Sequence, residues 1–322
     1  MKSTVIIPNY NGKDYLENCL KSLQQCEPLD FKVIVVDNGS TDGSVEMLQE
    51  SFSWVEKILL PENKGFAEAV NIGLEKTETE YGILLNNDTT VKKDFVAKLE
   101  EVIGTNEKIF SVSAKMVSMH EPEVLDGAGD LYCALGWAFA LGKGKPVSKA
   151  YTKPARIFSA CGGAVIYRMH ILKEIGMFDP NHFAYLEDVD LGYRGLIYGY
   201  ENRYAPEAVC FHAGSGFSGS RYNEFKVTLS SKNSTYVIVK NMPFLQQIIN
   251  LPFFVIGFLI KYLFFIRKGF GGTYLKGLIK GITFGYSKEG RMRKVRFRFK
   301  NLGNYVKIQG YLWWNILRRF VG

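Results

Sequence analysis

The first quarter of the chain switches between short continuous apolar runs and apolar positions spaced at helical intervals. Thr4-Val5-Ile6-Ile7 is closed by Pro8 and the polar turn Asn9-Tyr10-Asn11-Gly12, which predicts a short buried strand. Tyr15, Leu16, Cys19, Leu20 and Leu23 then share one face of an amphipathic helix. A second strand is expected over Lys32 to Val36, stopping on Asp37 and the turn and cap residues from Asn38 to Ser44. A third runs from about Val55 to Leu60, after which Asn63-Lys64-Gly65-Phe66-Ala67 opens a helix to about Lys76. The apolar run Tyr81 to Leu85 ends abruptly on Asn86-Asn87-Asp88. Such rapid alternation argues for a parallel, doubly wound sheet. Right-handed crossovers would bring the polar strand ends at Asn9, Asp37 and Asp88 to one carboxyl edge, where open α/β sheets bind ligands.

A hundred residues later, Tyr185-Leu186-Glu187-Asp188-Val189-Asp190 puts three carboxylates within four residues, just after Phe183. The bland readings are that a strand-end Asp caps a turn and that an acidic cluster opens a solvated helix. The sharper reading is that one acid holds a metal on a diphosphate and another takes a proton from a hydroxyl. Those are the two needs of an enzyme that moves a sugar from a nucleotide onto an alcohol. Neither cluster carries that reading alone; the three polar strand ends on one edge favour it.

Five segments in order resemble family 2 glycosyltransferases. They are Pro8-Asn9-Tyr10-Asn11, Val36-Asp37-Asn38-Gly39-Ser40-Thr41-Asp42-Gly43-Ser44, Asn63-Lys64-Gly65-Phe66-Ala67, Asn86-Asn87-Asp88 and Glu187-Asp188. The resemblance covers roughly residues 3–240. It implies an α/β chain of the GT-A nucleotide-diphospho-sugar transferase fold, built on a doubly wound mixed sheet. Cys161-Gly162-Gly163-Ala164 and the run from Gly176 to Asp190 are most similar to the rhamnosyltransferase-like subgroup, which implies dTDP-rhamnose as donor. UDP-galactofuranose, UDP-glucose or a UDP-N-acetylhexosamine are the alternatives.

The resemblance also implies roles. Asp37 matches the acid that accepts the N3 proton of uracil or thymine, and Pro8, Asn9, Tyr10, Asn63, Gly65 and Asn87 line the nucleotide pocket around it. Asp88 matches the metal-holding acid and His212 the family's further metal ligand, for Mg²⁺ or Mn²⁺. Asp188 matches the general base that deprotonates the acceptor hydroxyl for direct, inverting displacement. A free carboxylate has a pKa of about 4 and is ionised at neutral pH. Glu187 and Asp190 are expected to orient Asp188 or to cap a helix running to about Tyr198. Trp137, Gly162, Gly163 and the segment Asp126 to Asp130 fall where family members contact donor or acceptor sugar.

Composition adds a boundary rather than a function. The 322 residues are 47% apolar, ample for a core, and five Cys at irregular spacing suggest neither zinc nor a disulfide framework. The first strand starts by about residue 4, which leaves no room for a signal peptide. From Lys240 onward the chain carries 16 Lys and Arg against one acid, Glu289, whereas the preceding residues are acidic overall. This asymmetry asks for an anionic partner. The apolar run Leu251 to Ile266, the basic Arg291-Met292-Arg293-Lys294-Val295-Arg296-Phe297-Arg298-Phe299-Lys300, and Trp313 and Trp314 near the end favour a membrane over nucleic acid. At about 1.5 Å per residue that apolar run falls short of the roughly 30 Å hydrocarbon core. The competing reading is a helical subdomain packed on the catalytic core with its bases solvated.

The expected organisation is therefore a catalytic domain over 1–240 and a basic, apolar helical region over 241–322 on the cytoplasmic face of the cell membrane, peripheral or monotopic. That setting implies a lipid-linked acceptor, a glycan on polyprenyl diphosphate, in surface polysaccharide assembly. Processive synthases of the family carry Gln-x-x-Arg-Trp; this chain has no Arg-Trp pair, which implies non-processive transfer. A nucleotidylyltransferase would need a Gly-rich basic loop after the first strand, absent from Pro8 to Gly12. A catalytically silent, membrane-bound adaptor is the remaining rival, motivated by Asn86 and Asn87 where acids are usual.

Overall fold

The computed structural model describes residues 1–147, 151–214 and 222–321. Its first half runs β1 (Ser3–Asn9), α1 (Lys13–Gln24), β2 (Phe31–Asp37), α2 (Ser44–Ser51), β3 (Glu56–Leu59), α3 (Phe66–Glu75) and β4 (Tyr81–Leu85). There follow β5 (Thr89–Val91), α4 (Phe95–Gly104), β6 (Ile109–Ser118), β7 (Leu125–Gly127), β8 (Asp130–Cys133), β9 (Trp137–Ala140) and β10 (Ala155–Ile157). Then come β11 (Ala164–Arg168), α5 (Met169–Ile175), a 3₁₀ turn at Pro180–His182, α6 (Glu187–Ile197) and β12 (Glu201–His212). The C-terminal region is helical: α7 (Glu224–Asn241), α8 (Phe244–Arg267), α9 (Gly271–Tyr286), α10 (Lys288–Arg293) and α11 (Leu302–Val321).

The main sheet has the order β10-β12-β6-β11-β4-β1-β2-β3, with β5 and β7 attached to β12 and β6. β3, β2, β1 and β4 are mutually parallel, whereas β11 runs antiparallel to both β4 and β6. The alternation predicted a parallel doubly wound sheet, which holds for these four strands; the antiparallel β11 makes the whole sheet mixed, as the family resemblance implied. Val5, Ile7, Val33 and Val35 face one core and Ile6, Ile34 and Val36 the other. Burial on both faces explains why these strands read as unbroken apolar runs.

α8 differs from its expected extent. It begins at Phe244 rather than Leu251, and its 24 residues span about 36 Å. Its polar residues face inward: Asn250 and Gln309 exchange amide hydrogen bonds of 2.8 Å, and Tyr193 Oη donates to Gln246 Oε1 at 3.0 Å. Its outward face exposes Leu251, Val255, Ile256, Leu259, Ile260 and Leu263. α7 and α9 pack closely because Gly277, Gly281 and Gly285 face α7; a Cβ on Gly281 would strike the Lys232 carbonyl. On α11, Tyr305, Ile308 and Leu312 join the core that contains Tyr193 of α6.

Candidate active site

A cavity of about 460 Å³ opens at the carboxyl ends of β1, β4 and β12. Pro8, Asn9 and Tyr10 reach it from β1, Asn63 and Gly65 from the turn into α3, and Asn87 and Asp88 from the end of β4. Gly162 and Gly163 precede β11, Glu187 and Asp188 open α6, and His212 ends β12. Most of the residues expected from sequence therefore meet in one place.

The wall around Asn9, where the sequence places the nucleotide, is a lattice of amides. Asn9 Oδ1 accepts from Asn87 Nδ2 at 2.7 Å, and Asn9 Nδ2 donates to Asp37 Oδ1 at 3.0 Å. Asp37 Oδ2 accepts from the Ser40 amide at 2.9 Å, so this buried carboxylate stands behind Asn9, outside the lining. Asn38, which the sequence reading passed over beside Asp37, does line the cavity and donates to Asn63 Oδ1 at 3.0 Å and the Gly65 carbonyl at 3.2 Å. Gly65 has φ 87°, and a Cβ there would meet the Phe183 ring, so both backbone and space require glycine.

At the other wall, Asp88 Oδ1 is buried without a well-formed hydrogen bond and lies 3.3 Å from His212 Nε2. His212 Nδ1 is 2.8 Å from Asp126 Oδ2, and Asp126 also pairs with Lys143. Burial alone would lower the imidazole pKa, but the Asp126 and Asp88 carboxylates outweigh it and hold it up at about 9. Burial would raise Asp126, yet His212 and Lys143 bring it down to about 2. An unsatisfied carboxylate oxygen beside an imidazole nitrogen, with the other ring nitrogen tied to a carboxylate, is a donor set that fits a divalent cation.

Asp188 is fixed by two backbone amides: Gly162 N donates to Oδ2 at 3.1 Å and Val189 N to Oδ1 at 2.7 Å. Burial raises its pKa from its ordinary value despite those donors. The free-carboxylate value expected from sequence therefore understates its basicity. Burial, and then the neighbouring Asp188 charge, push Glu187 up to about 8, and its Oε2 has no hydrogen-bond partner among the described residues. The two adjacent acids thus differ: Glu187 is largely protonated at neutral pH while Asp188 is the better candidate to carry charge. Asp130, Cys161 and Asp188 bring ligand atoms within 4.8 Å of one another. Burial, with the Asp188 charge added, also raises Asp130 well above its ordinary value.

The segment before Asp188 is conformationally strained. Phe183, Tyr185 and Leu186 have φ of 61°, 70° and 66°, each costing on the order of 1–3 kcal/mol. α7 holds them in place. Asn233 Nδ2 donates to the His182, Ala184 and Tyr185 carbonyls at 2.9, 2.9 and 2.8 Å, and Lys232 Nζ reaches the Asn181 carbonyl at 2.7 Å. No sequence signal marks Asn233, because its partners lie some fifty residues earlier.

Two expected contacts sit elsewhere. Asp190 is wholly buried and neither orients Asp188 nor lines the cavity: its oxygens take Lys240 Nζ and Asn241 Nδ2 at 2.8 Å and Arg194 Nη2 at 3.0 Å. Burial would raise its pKa, but the Lys240 and Arg194 charges drive it far below the ordinary range. Trp137 packs against α8, donating Nε1 to the Gly257 carbonyl at 3.1 Å, with the Lys261 ammonium 5.5 Å from its ring centre.

A family model described as Glycosyl transferase family 2 matches residues 4–176, more than half of the chain. A teichoic acid poly(glycerol phosphate) polymerase of Staphylococcus epidermidis is 41% identical over 91 residues, 27% of this chain and 13% of that protein. A poly-beta-1,6-N-acetyl-D-glucosamine synthase of Staphylococcus epidermidis is 23% identical over 207 residues, 63% of this chain and 47% of that protein. The chain thus spans less than half the length of either relative. Among solved structures, GalNAc-T7 with UDP, GalNAc and Mn²⁺ superposes with a TM-score of 0.60 at 17% identity, covering 74% of this chain and 48% of that one. The last likeness is one of fold, and the fold is GT-A.

Proposed function

The chain belongs to glycosyltransferase family 2, and from that premise we propose an inverting transferase that moves L-rhamnose from dTDP-rhamnose onto a hydroxyl of a polyprenyl diphosphate-linked glycan. The observation that carries this reading is one cavity holding both the backbone-fixed Asp188 and, on other elements, the Asp88–His212 pair. Asp188 takes the acceptor proton as the hydroxyl attacks the anomeric carbon, and the Gly162 and Val189 amides keep its oxygens aimed. Glu187, protonated beside it, adds no second negative charge to the wall. Asp88 and His212 would hold a Mg²⁺ or Mn²⁺, which supplies charge neutralisation for the departing diphosphate. In this reading the N3 proton of the pyrimidine replaces Asn9 Nδ2 on Asp37 Oδ1. Asn9, Asn63 and Gly65 shape the slot, with Pro8, Tyr10 and Asn87 around it.

We place the catalytic domain at 1–240 and a membrane-associated region at 241–322, on the cytoplasmic face of the cell membrane. Support comes from α8, which is long and apolar enough to cross a bilayer by length and composition and has an outward face free of charge over Val255 to Ile260. The named activities of the relatives, teichoic acid polymerase and poly-N-acetylglucosamine synthase, support a place in surface polysaccharide assembly. A second reading keeps the mechanism and replaces the donor by a UDP-sugar; it is favoured by the UDP found in the GalNAc-T7 structure.

The test is a nucleotide-sugar panel with Mg²⁺ or Mn²⁺, read as thermal stabilisation and slow donor hydrolysis. Ligand at 100 times its Kd stabilises a fold by about 2.7 kcal/mol, a visible shift. A selective response to dTDP-rhamnose that disappears in Asp88→Ala is expected. Asp188→Asn is expected to keep that response while transfer falls about 10²–10⁴-fold; full transfer in this variant would remove Asp188 from its role. A response to UDP-sugars alone would replace the donor. Metal-dependent binding without turnover on any acceptor would favour the silent adaptor.

A further inference from the structure

The basic run singled out in the sequence ends up around a cleft that the transfer chemistry does not use. This cleft, of about 670 Å³, lies between α3, the segment Ile175 to Pro180, and the chain leaving α10. Arg293, Lys294, Arg296 and Arg298 all line it, and none of the four has an ion pair among the described residues. The opposite wall contributes Glu68 and Glu75, also without ion pairs among the described residues, so positive charge predominates. The segment is anchored rather than merely draped. The Val295 amide donates to the Lys240 carbonyl at 2.9 Å, and the Val295 side chain packs on the core. Between the cations stand apolar groups that face solvent: Met292 is 71% exposed and Phe299 85%. Unpaired cations turned into a cleft, with apolar side chains projecting beside them, describe a seat at the depth of lipid headgroups, where cations meet phosphate and apolar groups enter the acyl boundary.

We infer that the cleft between α3 and residues 293–298 is a binding site for the phosphate of an anionic bilayer phospholipid. This rests on the membrane-associated reading given above and narrows it from a diffuse charged surface to one seat. Arg296 and Arg298 lie outside the catalytic cavity and are exposed, so their neutralisation leaves the fold and the transfer machinery in place.

The experiment is flotation of the full chain with phosphatidylcholine vesicles, plain or containing phosphatidylglycerol, or containing polyprenyl diphosphate instead. The wild type is compared with Arg296→Gln/Arg298→Gln and with an equal charge loss on exposed positions of α9, Lys276→Gln/Lys280→Gln. Donor hydrolysis in detergent is measured in parallel. Expected is a loss of affinity for phosphatidylglycerol vesicles of about thirtyfold in the arginine pair, and a clearly smaller loss in the lysine pair. Equal losses would overturn the seat in favour of a diffuse basic face. A loss confined to vesicles with polyprenyl diphosphate would overturn the phospholipid and give the cleft to the acceptor's diphosphate. A wild type that floats with none of the vesicles would overturn both the cleft and the membrane reading, while donor hydrolysis would report on the transferase reading separately.

Discussion

Asp126 holds His212 by Nδ1 and so fixes which nitrogen points at Asp88. Removing such a carboxylate typically lowers metal affinity by 10–100-fold. Asp126→Asn is therefore expected to weaken Mn²⁺ binding by about that factor, measured by titration of the free ion signal in electron paramagnetic resonance. An unchanged affinity would separate Asp126 from the metal. His182 gives a second prediction. It is fully buried, 4.0 Å from Asp190, and neither ring nitrogen has a hydrogen-bond partner among the described residues. Burial lowers its pKa to about 4, although Asp190 opposes the shift. The unfolded chain binds this proton at about 6.5, so between those values the unfolded state holds more protons and stability drains away as pH falls. His182→Phe is expected to lose less stability than the wild type on going from pH 7 to pH 4, by up to about 3 kcal/mol. Denaturant midpoints at several pH values check it, with the carboxylates remote from His182 cancelling in the comparison; parallel curves would refute it. At this scale the sequence was readable as far as placement goes: Asp88, Asp188 and His212, picked out by their motifs, line one cavity. It gave no site role to Asn38 or Asn233 and no ionisation state to Glu187, because those depend on what the fold packs around them.

α7 works as a clamp on the strained segment that delivers Asp188. One side-chain amide, Asn233 Nδ2, serves three carbonyls, while Tyr236 Oη and Lys240 Nζ fasten Asp179 at 2.7 and 2.8 Å. Asn233→Ala is expected to cost about 1–3 kcal/mol, the penalty for the Ala184 and Tyr185 carbonyls that lose this donor, the His182 carbonyl keeping the Ala184 amide. It is also expected to lower kcat more than donor affinity, since Asp188, the proposed base, rather than the wall around Asn9 loses its support. Equal kcat with reduced stability would make the clamp purely structural. The first four strands were legible as short apolar runs, and β4 matches its expected span, Tyr81–Leu85, whereas β5 to β10 were not legible in this way. α8 was read too short for a physical reason. Gln246, Gln247 and Asn250 look like a polar boundary in sequence, but Gln246 and Asn250 turn toward the protein and pair there. A helix that hides its amides and shows its apolar side inverts the pattern used to find helix ends.

Over the whole molecule, apolar side chains crowd one helical region: Ile256 and Leu263 on α8, Ile279 and Ile282 on α9, Trp314 and Leu317 on α11 are all exposed. Ile256→Glu/Leu263→Glu is expected to shift the chain from the membrane pellet to the supernatant in a fractionation experiment. Each change lies on the surface, so stability should move by only about 0.5 kcal/mol. Retention in the pellet with the fold intact would assign membrane attachment to another surface. The charge asymmetry of the chain made this region visible in sequence, but its packing was not. The acidic and basic halves are joined by a buried cluster in which Lys240 Nζ contacts both Asp179 and Asp190 at 2.8 Å. Asp190 belongs to the same helix as Asp188, and Lys240 to the helix that leads into the apolar region. The apolar helical region and the helix that carries Asp188 are thus welded by charges that cannot be left alone once separated, for an unpaired ion in that place costs several kcal/mol. A chimera that grafts a foreign tail after residue 240 inherits Asp190 and Asp179 without the frame that keeps Lys240 between them. Exchange of segments between relatives would then keep the fold only when the seam is placed so that Lys240, Asn241 and their carboxylate partners Asp179 and Asp190 are inherited together.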